Sequence, residues 1–282
     1  MSSIDTAVAA GRGAGIGRNI EKTADTALRA AAALWVGVAI SGQLLFALYV
    51  TGFFGRAALG GQYETWNKVL PHGYVAGDTA GNLVVASHLA FAVAILVGGA
   101  VQLMPFVRRR WPRVHRWNGR AYLFAALVMS VGGLVMVWTR GAVGDLSQHI
   151  AISINALLIL GCAGMALRHA VARRVDAHRH WALRLFLVVG GVWFFRIGLM
   201  FWIVVNQGPA GFDPQTFTGP FLTFLGFAQY VVPLAVLELY LRAQRRGSAA
   251  TRFATAALLV TLTLATLAGV AAAAALMWLP RL

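Results

Sequence analysis

Residues 108–122 read Arg108-Arg109-Arg110-Trp111-Pro112-Arg113-Val114-His115-Arg116-Trp117-Asn118-Gly119-Arg120-Ala121-Tyr122, and six of these residues are arginines. Long apolar segments precede and follow the run. Arginines at the edge of such segments are kept on the cytoplasmic side of a membrane by insertion bias and by anionic headgroups. The run therefore predicts a cytoplasmic hinge between two transmembrane helices.

The composition of the chain indicates an integral membrane protein. Of its 282 residues, 59% are hydrophobic and 12% are charged, whereas soluble domains carry about 25% charged residues. The net charge of +15 does not predict a nucleic-acid partner, because the arginines cluster between apolar segments instead of forming one solvated face. The single cysteine, Cys162, argues against an internal disulfide and against a cysteine-based metal site.

Seven apolar segments are long enough to span a bilayer. They cover approximately residues 30–54, 83–106, 120–138, 148–167, 178–205, 220–241 and 253–279. If the N-terminus is inside, nearly all of the 24 lysines and arginines lie on the inner side of the membrane. The prediction is an all-α bundle of seven transmembrane helices in the bacterial inner membrane, with the N-terminus inside and the C-terminus outside.

The same pattern predicts the domain organisation. Residues 1–26 are predicted to be a cytoplasmic tail that is disordered or forms a short surface helix, because they are too polar for the bilayer and poorly patterned. Residues 27–282 are predicted to form a single transmembrane domain. Within it, residues 83–205 are predicted to form a four-helix core.

Histidines near the ends of the predicted helices form two pairs. His88 and His149 lie near the outer ends of the second and fourth helices, and His115 and His178 lie near the inner ends of the third and fifth. A b-type haem needs two imidazoles from facing helices, a gap lined by small residues, and cations for its propionates. The pattern predicts an outer haem on the first pair and an inner haem on the second, with His180 as the alternative inner ligand.

Small residues and arginines near these histidines complete the predicted sites. The small residues predicted to make room for haem are Gly99 and Ala156 at the outer pair and Gly119 and Gly191 at the inner pair. Arg120 and Arg184 are predicted to neutralise propionates. Arg196 lies on the face of His178 if the fifth helix is continuous. It is predicted to bind a propionate, a quinone oxygen or a lipid phosphate, or else to pair with a buried group or reach the surface.

Residues 83–200 resemble a bacterial family of multi-pass membrane proteins that is catalogued as a domain of unknown function. The resemblance is carried by Ser87-His88, by residues 112–122 and by Ala177-His178-Arg179-His180-Trp181-Ala182-Leu183-Arg184. In that family the last motif usually reads His-Arg-Arg-Trp-Met-Ile-Arg, so His178 fits the family's histidine and His180 occupies a position that is usually basic. The resemblance implies a fold family and almost no chemistry.

A second resemblance is architectural. The pairing of histidines between the second and fourth helices and between the third and fifth is similar to that of the transmembrane cytochromes b, which carry electrons across membranes with two haems. Those proteins have six helices with ligands well inside them, whereas His115 and His178 lie at helix ends here. The likeness implies haem b as the cofactor and a quinone or a periplasmic protein as the redox partner.

Two functions remain open from the sequence. The first is transmembrane electron transfer through b-type haem, which leaves open whether the protein is an oxidoreductase. The alternative is a haem-free transporter of small molecules or lipids, or an accessory subunit whose inner arginines bind anionic headgroups. No inverted repeat or pair of broken helices favours transport. No nucleophile–base motif or carboxylate cluster favours a soluble-type enzyme.

Overall fold

A computed structural model describes residues 3–70, 72–141 and 144–282, with side chains described from residue 17 onward. These residues are mostly helical and form no strand. The α-helices are α1 (Ser3–Val50), α2 (Arg56–Leu59), α3 (Thr79–Leu103), α4 (Pro105–Arg110), α5 (Pro112–Met136), α6 (Leu146–Val171), α7 (Val175–Val189), α8 (Gly191–Val205), α9 (Pro220–Arg246) and α10 (Ala249–Ala273). The prediction of an all-α protein is confirmed.

The helices include the predicted membrane spans. Six helical segments of the described chain are long and apolar enough to cross a membrane, and α7 with α8 supplies a seventh if this bent pair is one span. The six are Gly17–Leu59, Thr79–Leu103, Pro112–Gly141, Leu146–Val171, Pro220–Arg246 and Ala249–Arg281. The sides of the membrane on which the termini lie stay a prediction.

Helix α1 begins well before the first predicted span. It starts at Ser3, so most of the predicted tail is helical where the sequence predicted disorder or a short surface helix. Alanine is the strongest helix former, and alanines recur throughout residues 7–33. Helical propensity therefore continues across the boundary at which hydropathy changes.

Aspartates and prolines mark the beginnings of the core helices. The Asp78 carboxylate accepts a hydrogen bond from the Gly81 N–H at the start of α3, and Asp145 accepts two from backbone N–H groups at the start of α6. Pro105 and Pro112 occupy first-turn positions of α4 and α5, where a missing N–H is tolerated. Local sequence signals thus determine where these helices begin.

The chain is divided into two compact units. The first comprises Met1–Ala39 and Ala235–Leu267, and the second comprises Ile40–Leu234 and Ala268–Leu282. The single transmembrane domain predicted for residues 27–282 is therefore distributed over both. The buried residues that hold the first unit together are Leu28, Ala31, Ala243, Ala256 and Leu259.

The second unit contains the predicted four-helix core. Helix α5 packs along α3 and α6, and α6 packs along α7. The buried residues at its centre are Ile95, Tyr122, Ala125, Ala126, Cys162, Leu185, Val188 and Tyr230. This core contains the helices that carry His88, His115, His149 and His178.

A bend interrupts the fifth predicted helix. Helices α7 and α8 meet at an angle of 52°, at the pair Gly190-Gly191. The condition under which Arg196 was expected on the face of His178, one continuous helix, is therefore not met, because the two residues lie on opposite sides of the bend. A helix whose backbone is interrupted inside a membrane needs polar partners nearby.

Side-chain amides from other helices supply polar groups at the bend. A methyl group added at Gly191 would lie 2.7 Å from Asn155 Nδ2 and 3.4 Å from Gln229 Oε1. One added at Gly190 would lie 3.3 Å from Gln43 Nε2. All three amides are buried. The two glycines therefore allow amide groups to approach the backbone where any larger residue would exclude them.

Candidate functional site

The four-helix core has two chemically different ends. We call the end at which α3 and α6 finish and α5 and α7 begin the arginine-rich end, because residues 104–120 and 168–184 lie there. We call the other end, at which α3 and α6 begin, the opposite end. The predicted inner histidines belong to the first and the predicted outer histidines to the second.

Hydrogen bonds join α3 to the start of α5 at the arginine-rich end. The Gln102 side-chain amide donates to the carbonyl of His115 at 2.8 Å, and the Asn118 amide donates to the carbonyl of Gly98 at 2.9 Å. Gly119 faces Gln102 so closely that a methyl group there would lie 3.2 Å from Nε2. Much of the motif in residues 112–122 therefore connects two helices.

A histidine makes the corresponding connection between α6 and α7. The His178 Nδ1 atom lies 2.9 Å from the carbonyl oxygen of Ala166. Because a carbonyl only accepts, Nδ1 carries the proton in this contact, and Nε2 is left with its lone pair. His180 follows two residues later, about 200° around the helix, and so lies on a different face. His178 is the member of this motif that faces α6.

His115 and His178 lie near the starts of two helices at the arginine-rich end, on α5 and α7. His115 lies within electrostatic range of His178. Its Nδ1 is buried and has no hydrogen-bond partner within the described part of the chain.

Two helical hairpins, α3–α5 and α6–α7, meet at the arginine-rich end, and each stacks an arginine on a tryptophan. The Arg120 guanidinium lies 4.7 Å from the centroid of Trp117, and that of Arg184 lies 4.9 Å from the centroid of Trp181. In each pair the guanidinium lies over the face of the indole ring, and both pairs are at the arginine-rich end. The same number of residues separates Gln102 from Ala166, Trp117 from Trp181 and Arg120 from Arg184.

The tryptophan–arginine pair therefore occurs with the same spacing in the α3–α5 hairpin and in the α6–α7 hairpin. The side-chain hydrogen bonds of the two hairpins differ: in α3–α5 each helix donates one to the backbone of the other, and in α6–α7 the donor is His178 of the second helix. Sequence reasoning missed the shared spacing of the two pairs.

His88 lies on the α5 side of α3. Methyl groups added at Gly132 and Gly133 would lie 3.9 and 3.6 Å from its imidazole, so the ring packs over these glycines. Its Nδ1 is buried without a hydrogen-bond partner among the described residues. The charged group within its electrostatic range is Arg196.

His149 has different neighbours. Its ring meets Trp138 edge to face, with 6.0 Å between centroids, and the Trp138 indole donates to the Ser153 hydroxyl at 3.1 Å. Among the described residues, no hydrogen bond, ring contact or charge interaction joins His149 to His88. The pairing of His88 with His149 stays a prediction.

Side chains fill the space beside the glycines that were expected to make room for haem. A methyl group added at Gly99 would lie 3.2 Å from the Tyr122 ring and 3.3 Å from that of Phe186. Gly119 and Gly191 each face a side-chain amide. These glycines therefore serve close packing between helices in this structure.

The described residues contain no group of three or more His, Cys, Asp or Glu side chains that could hold a metal ion. A haem iron bound by two imidazoles needs no such group. The assignment of histidines to a haem therefore stays a prediction.

Arg140 organises the opposite end. It donates to the Asp78 carboxylate at 2.5 Å, to Asn82 Oδ1 at 3.0 Å and to the carbonyl of His72 at 3.1 Å. This arginine holds the pKa of Asp78 below its ordinary value, first through the hydrogen bond. The sequence did not distinguish Arg140 from the few other outer cations, because its hydrogen-bond partners lie far away along the chain.

Comparison with known proteins identifies the family. Residues 85–241, more than half of the chain, match the model of a family described as "Predicted membrane protein (DUF2306)". The matched region contains the histidine motifs of α3, α5 and α7 and extends into α9. No curated protein and no solved structure matches the chain.

Proposed function

Since this chain belongs to the DUF2306 family of predicted membrane proteins, whose description names no activity, we propose its function from its own residues. It is a multi-pass membrane protein, and the proposed function is to bind b-type haem at the arginine-rich end and to carry electrons across the membrane. The observation that supports this proposal is the state of the two histidines at the starts of α5 and α7: His115 Nδ1 is buried without a hydrogen-bond partner in the described part of the chain, and His178 Nδ1 contacts the carbonyl oxygen of Ala166.

The two histidines suit axial ligation. The hydrogen bond from His178 Nδ1 to the Ala166 carbonyl orients the ring and leaves Nε2 as the donor atom, the arrangement that metal-bound histidines commonly adopt. Haem bound there would supply one-electron chemistry. Arg120 and Arg184, each stacked on a tryptophan, place cations at the same end for the propionates.

The proposal gives the arginine-rich pair priority over the opposite one. His88 packs over Gly132 and Gly133 and His149 packs against Trp138, and the proposal assigns no haem to them. One haem per chain is therefore expected. A ratio near two would show that the opposite pair also binds.

The proposed location is the bacterial inner membrane, with the arginine-rich end in the cytoplasm. The test uses single cysteines introduced at Arg110 and at Pro214, which are both exposed. Cys162 is buried and should contribute little background. In intact cells, a membrane-impermeant maleimide should label position 214 and leave position 110 unlabelled; the reverse pattern would overturn the orientation.

Haem binding is tested on protein purified in detergent from a host that supplies haem. The measurement is a dithionite-reduced minus oxidised absorption spectrum, with the haem-to-protein ratio taken from the pyridine adduct. A single α-band and a ratio near one are expected. Monodisperse protein without haem would contradict the proposal.

Matched variants connect haem to the histidine pair. His115→Ala and His178→Ala should each remove nearly all haem, because each variant lacks one of the two imidazoles that would hold the iron. His169→Ala, on the last turn of α6 at the same end, is the control and should retain it. Loss of haem in the control, or full retention in both pair variants, would exclude this site.

The bend between α7 and α8 favours a second candidate function, that of a haem-free transporter. Interrupted helices in the middle of the membrane are common at transport sites, and buried amides converge on this one. If the protein is a transporter, the haem-free chain in nanodiscs should show rapid hydrogen–deuterium exchange near residues 188–194. Gly191→Ala should change this exchange rate. Slow exchange in both proteins would count against transport.

A further inference from the structure

A second group of polar side chains without partners lies in the second unit, away from the haem site proposed above. The Tyr49 hydroxyl and the indole N–H groups of Trp193 and Trp278 are buried and have no hydrogen-bond partner within the described residues. The three side chains are 2%, 1% and 0% exposed. An unpaired polar group that is buried in this way is unfavourable by roughly 1–3 kcal/mol, so a binding partner is the natural explanation.

Arg196 is the cation beside this group. Its guanidinium is 5.3 Å from the ring centroid of Phe46 and within electrostatic range of Tyr49. The intramolecular hydrogen bond it makes is a long one of 3.4 Å to the Val192 carbonyl. No carboxylate of the described chain lies within 4.0 Å of it. Most of its five N–H donors are therefore unused.

Aromatic packing holds these donors in one place. The Phe46 ring lies 5.3 Å from Trp278 and 6.1 Å from Tyr49, measured between centroids. A methyl group added at Gly42, one turn before Phe46, would lie 2.8 Å from the Trp193 ring. Helix α1 thus packs against α8 and against the end of the chain, with the cation among aromatic rings.

We propose that Arg196, Tyr49, Trp193 and Trp278 form an intramembrane binding site for the oxygen atoms of a quinone headgroup. All four side chains can donate hydrogen bonds, and the group contains no acidic acceptor that would satisfy them. A ligand must therefore bring acceptor oxygens. A flat headgroup with carbonyl oxygens meets this requirement, and the surrounding rings provide aromatic faces against which it can stack.

The depth of Arg196 determines the source of the ligand. It lies nine residues before the end of α8 at Val205, which is about 13 Å along a helix. That distance places the guanidinium inside the hydrocarbon region, below the level of lipid phosphates. A lipid-soluble carbonyl compound reaches this depth from the bilayer. His88 lies within electrostatic range of Arg196 and therefore belongs to the surroundings of this site.

The test measures binding of a short-tailed ubiquinone analogue to the purified full-length protein in phosphatidylcholine nanodiscs, through quenching of tryptophan fluorescence. Saturable quenching is expected for the natural chain. Arg196→Gln should raise the dissociation constant at least about tenfold, because hydrogen bonds to charged groups are the strong ones. Tyr49→Phe keeps the ring and should raise it about threefold.

The control is Arg56→Gln, which removes an exposed cation from α2 and should leave the dissociation constant unchanged. Unsaturable quenching, or equal constants in all variants, would overturn the proposal. Replacing phosphatidylcholine by phosphatidylglycerol separates the two sources of acceptor oxygen: equal affinity in both lipids supports a quinone site, and strong competition by the anionic lipid, abolished in Arg196→Gln, would assign the site to a lipid acid group. The experiment is independent of haem and is repeated on haem-free protein.

Discussion

The two ends of the four-helix core use charge in opposite ways. At the opposite end, where α3 and α6 begin, Arg140 and Asp78 form an ion pair that joins the loop before α3 to the turn that follows α5. At the arginine-rich end, the contacts between helices are hydrogen bonds to backbone carbonyls. Arginines there that have no carboxylate within 4.0 Å, among the described residues, are Arg108, Arg109, Arg110, Arg113 and Arg116.

The two ends therefore contain two kinds of charged side chain. Those of the ion pair stabilise the fold, and those without a carboxylate partner can bind anionic headgroups. An ion pair whose arginine is largely buried becomes unfavourable when one partner is removed, since the other is left without compensation. Exposed cations contribute little to stability and remain free to bind anionic headgroups. Whether an arginine has a carboxylate partner therefore indicates its role in this protein better than its position along the chain does.

The largest expected effect on stability comes from breaking the ion pair. In Arg140→Gln the Asp78 carboxylate loses its partner, and the loop carbonyl of His72 loses a donor. The midpoint of thermal unfolding in detergent should fall by several degrees. Lys68→Gln, an exposed position in the same loop, should not change it. Equal midpoints in the two variants would remove the contrast between the ends.

A smaller effect is expected at the arginine-rich end. Asn118→Leu removes one neutral hydrogen bond between α5 and α3, which contributes about 1 kcal/mol or less inside a membrane protein. The unfolding midpoint should fall by less than in Arg140→Gln. The loss should be unaffected by salt. A salt-dependent loss would show that charges also hold this end.

Acid should weaken the opposite end selectively. The pKa of Asp78 is lowered from 3.8 by its hydrogen bond to Arg140, so the folded state favours the ionised carboxylate. The stabilisation is fully present above the ordinary pKa and is lost as the pH falls through the lowered one. The difference in unfolding midpoint between the natural chain and Asp78→Asn should be constant from about pH 7 to pH 5 and should vanish in strong acid, below the lowered pKa. If the difference in unfolding midpoint persists in strong acid, its cause is packing and not the ionised Asp78 carboxylate.

The smallest effect is expected for an unpaired arginine. Arg109→Gln removes an exposed cation and should leave the unfolding midpoint in neutral detergent unchanged. It should reduce the additional stabilisation that phosphatidylglycerol gives, because each cation near an anionic surface contributes about 1 kcal/mol. A lower midpoint without anionic lipid would mean that this arginine has a structural partner.

Much of the helical architecture was predictable because its signals are local. Apolar length revealed each span, and aspartate or proline marked the starts of α3, α5 and α6. The placement of His115 and His178 at one end of the core was also predictable, since short hinges place the starts of α5 and α7 there. The bonds through which Gln102 and Asn118 act were not predicted, because they depend on the rotation of each helix.

Features that depend on distant residues were missed. The bend at Gly190-Gly191 looked like part of a continuous apolar helix, and the amides that surround it come from α1, α6 and α9. Arg196 was singled out as an intramembrane charge, but Trp278 follows it by 82 positions in the numbering of the chain. Hydropathy and helical period specify which residues are buried and do not specify which distant helices meet.

The hydrogen bonds of the two hairpins also bear on how the protein is made. They join residues close in sequence, Gln102 with His115 and Ala166 with His178, whereas the partners Arg140 and Asp78 are 62 residues apart. Contacts between near neighbours close small loops and form early. During synthesis, each hairpin can secure its own turn before the next one has left the ribosome, so the chain is suited to insertion pair by pair.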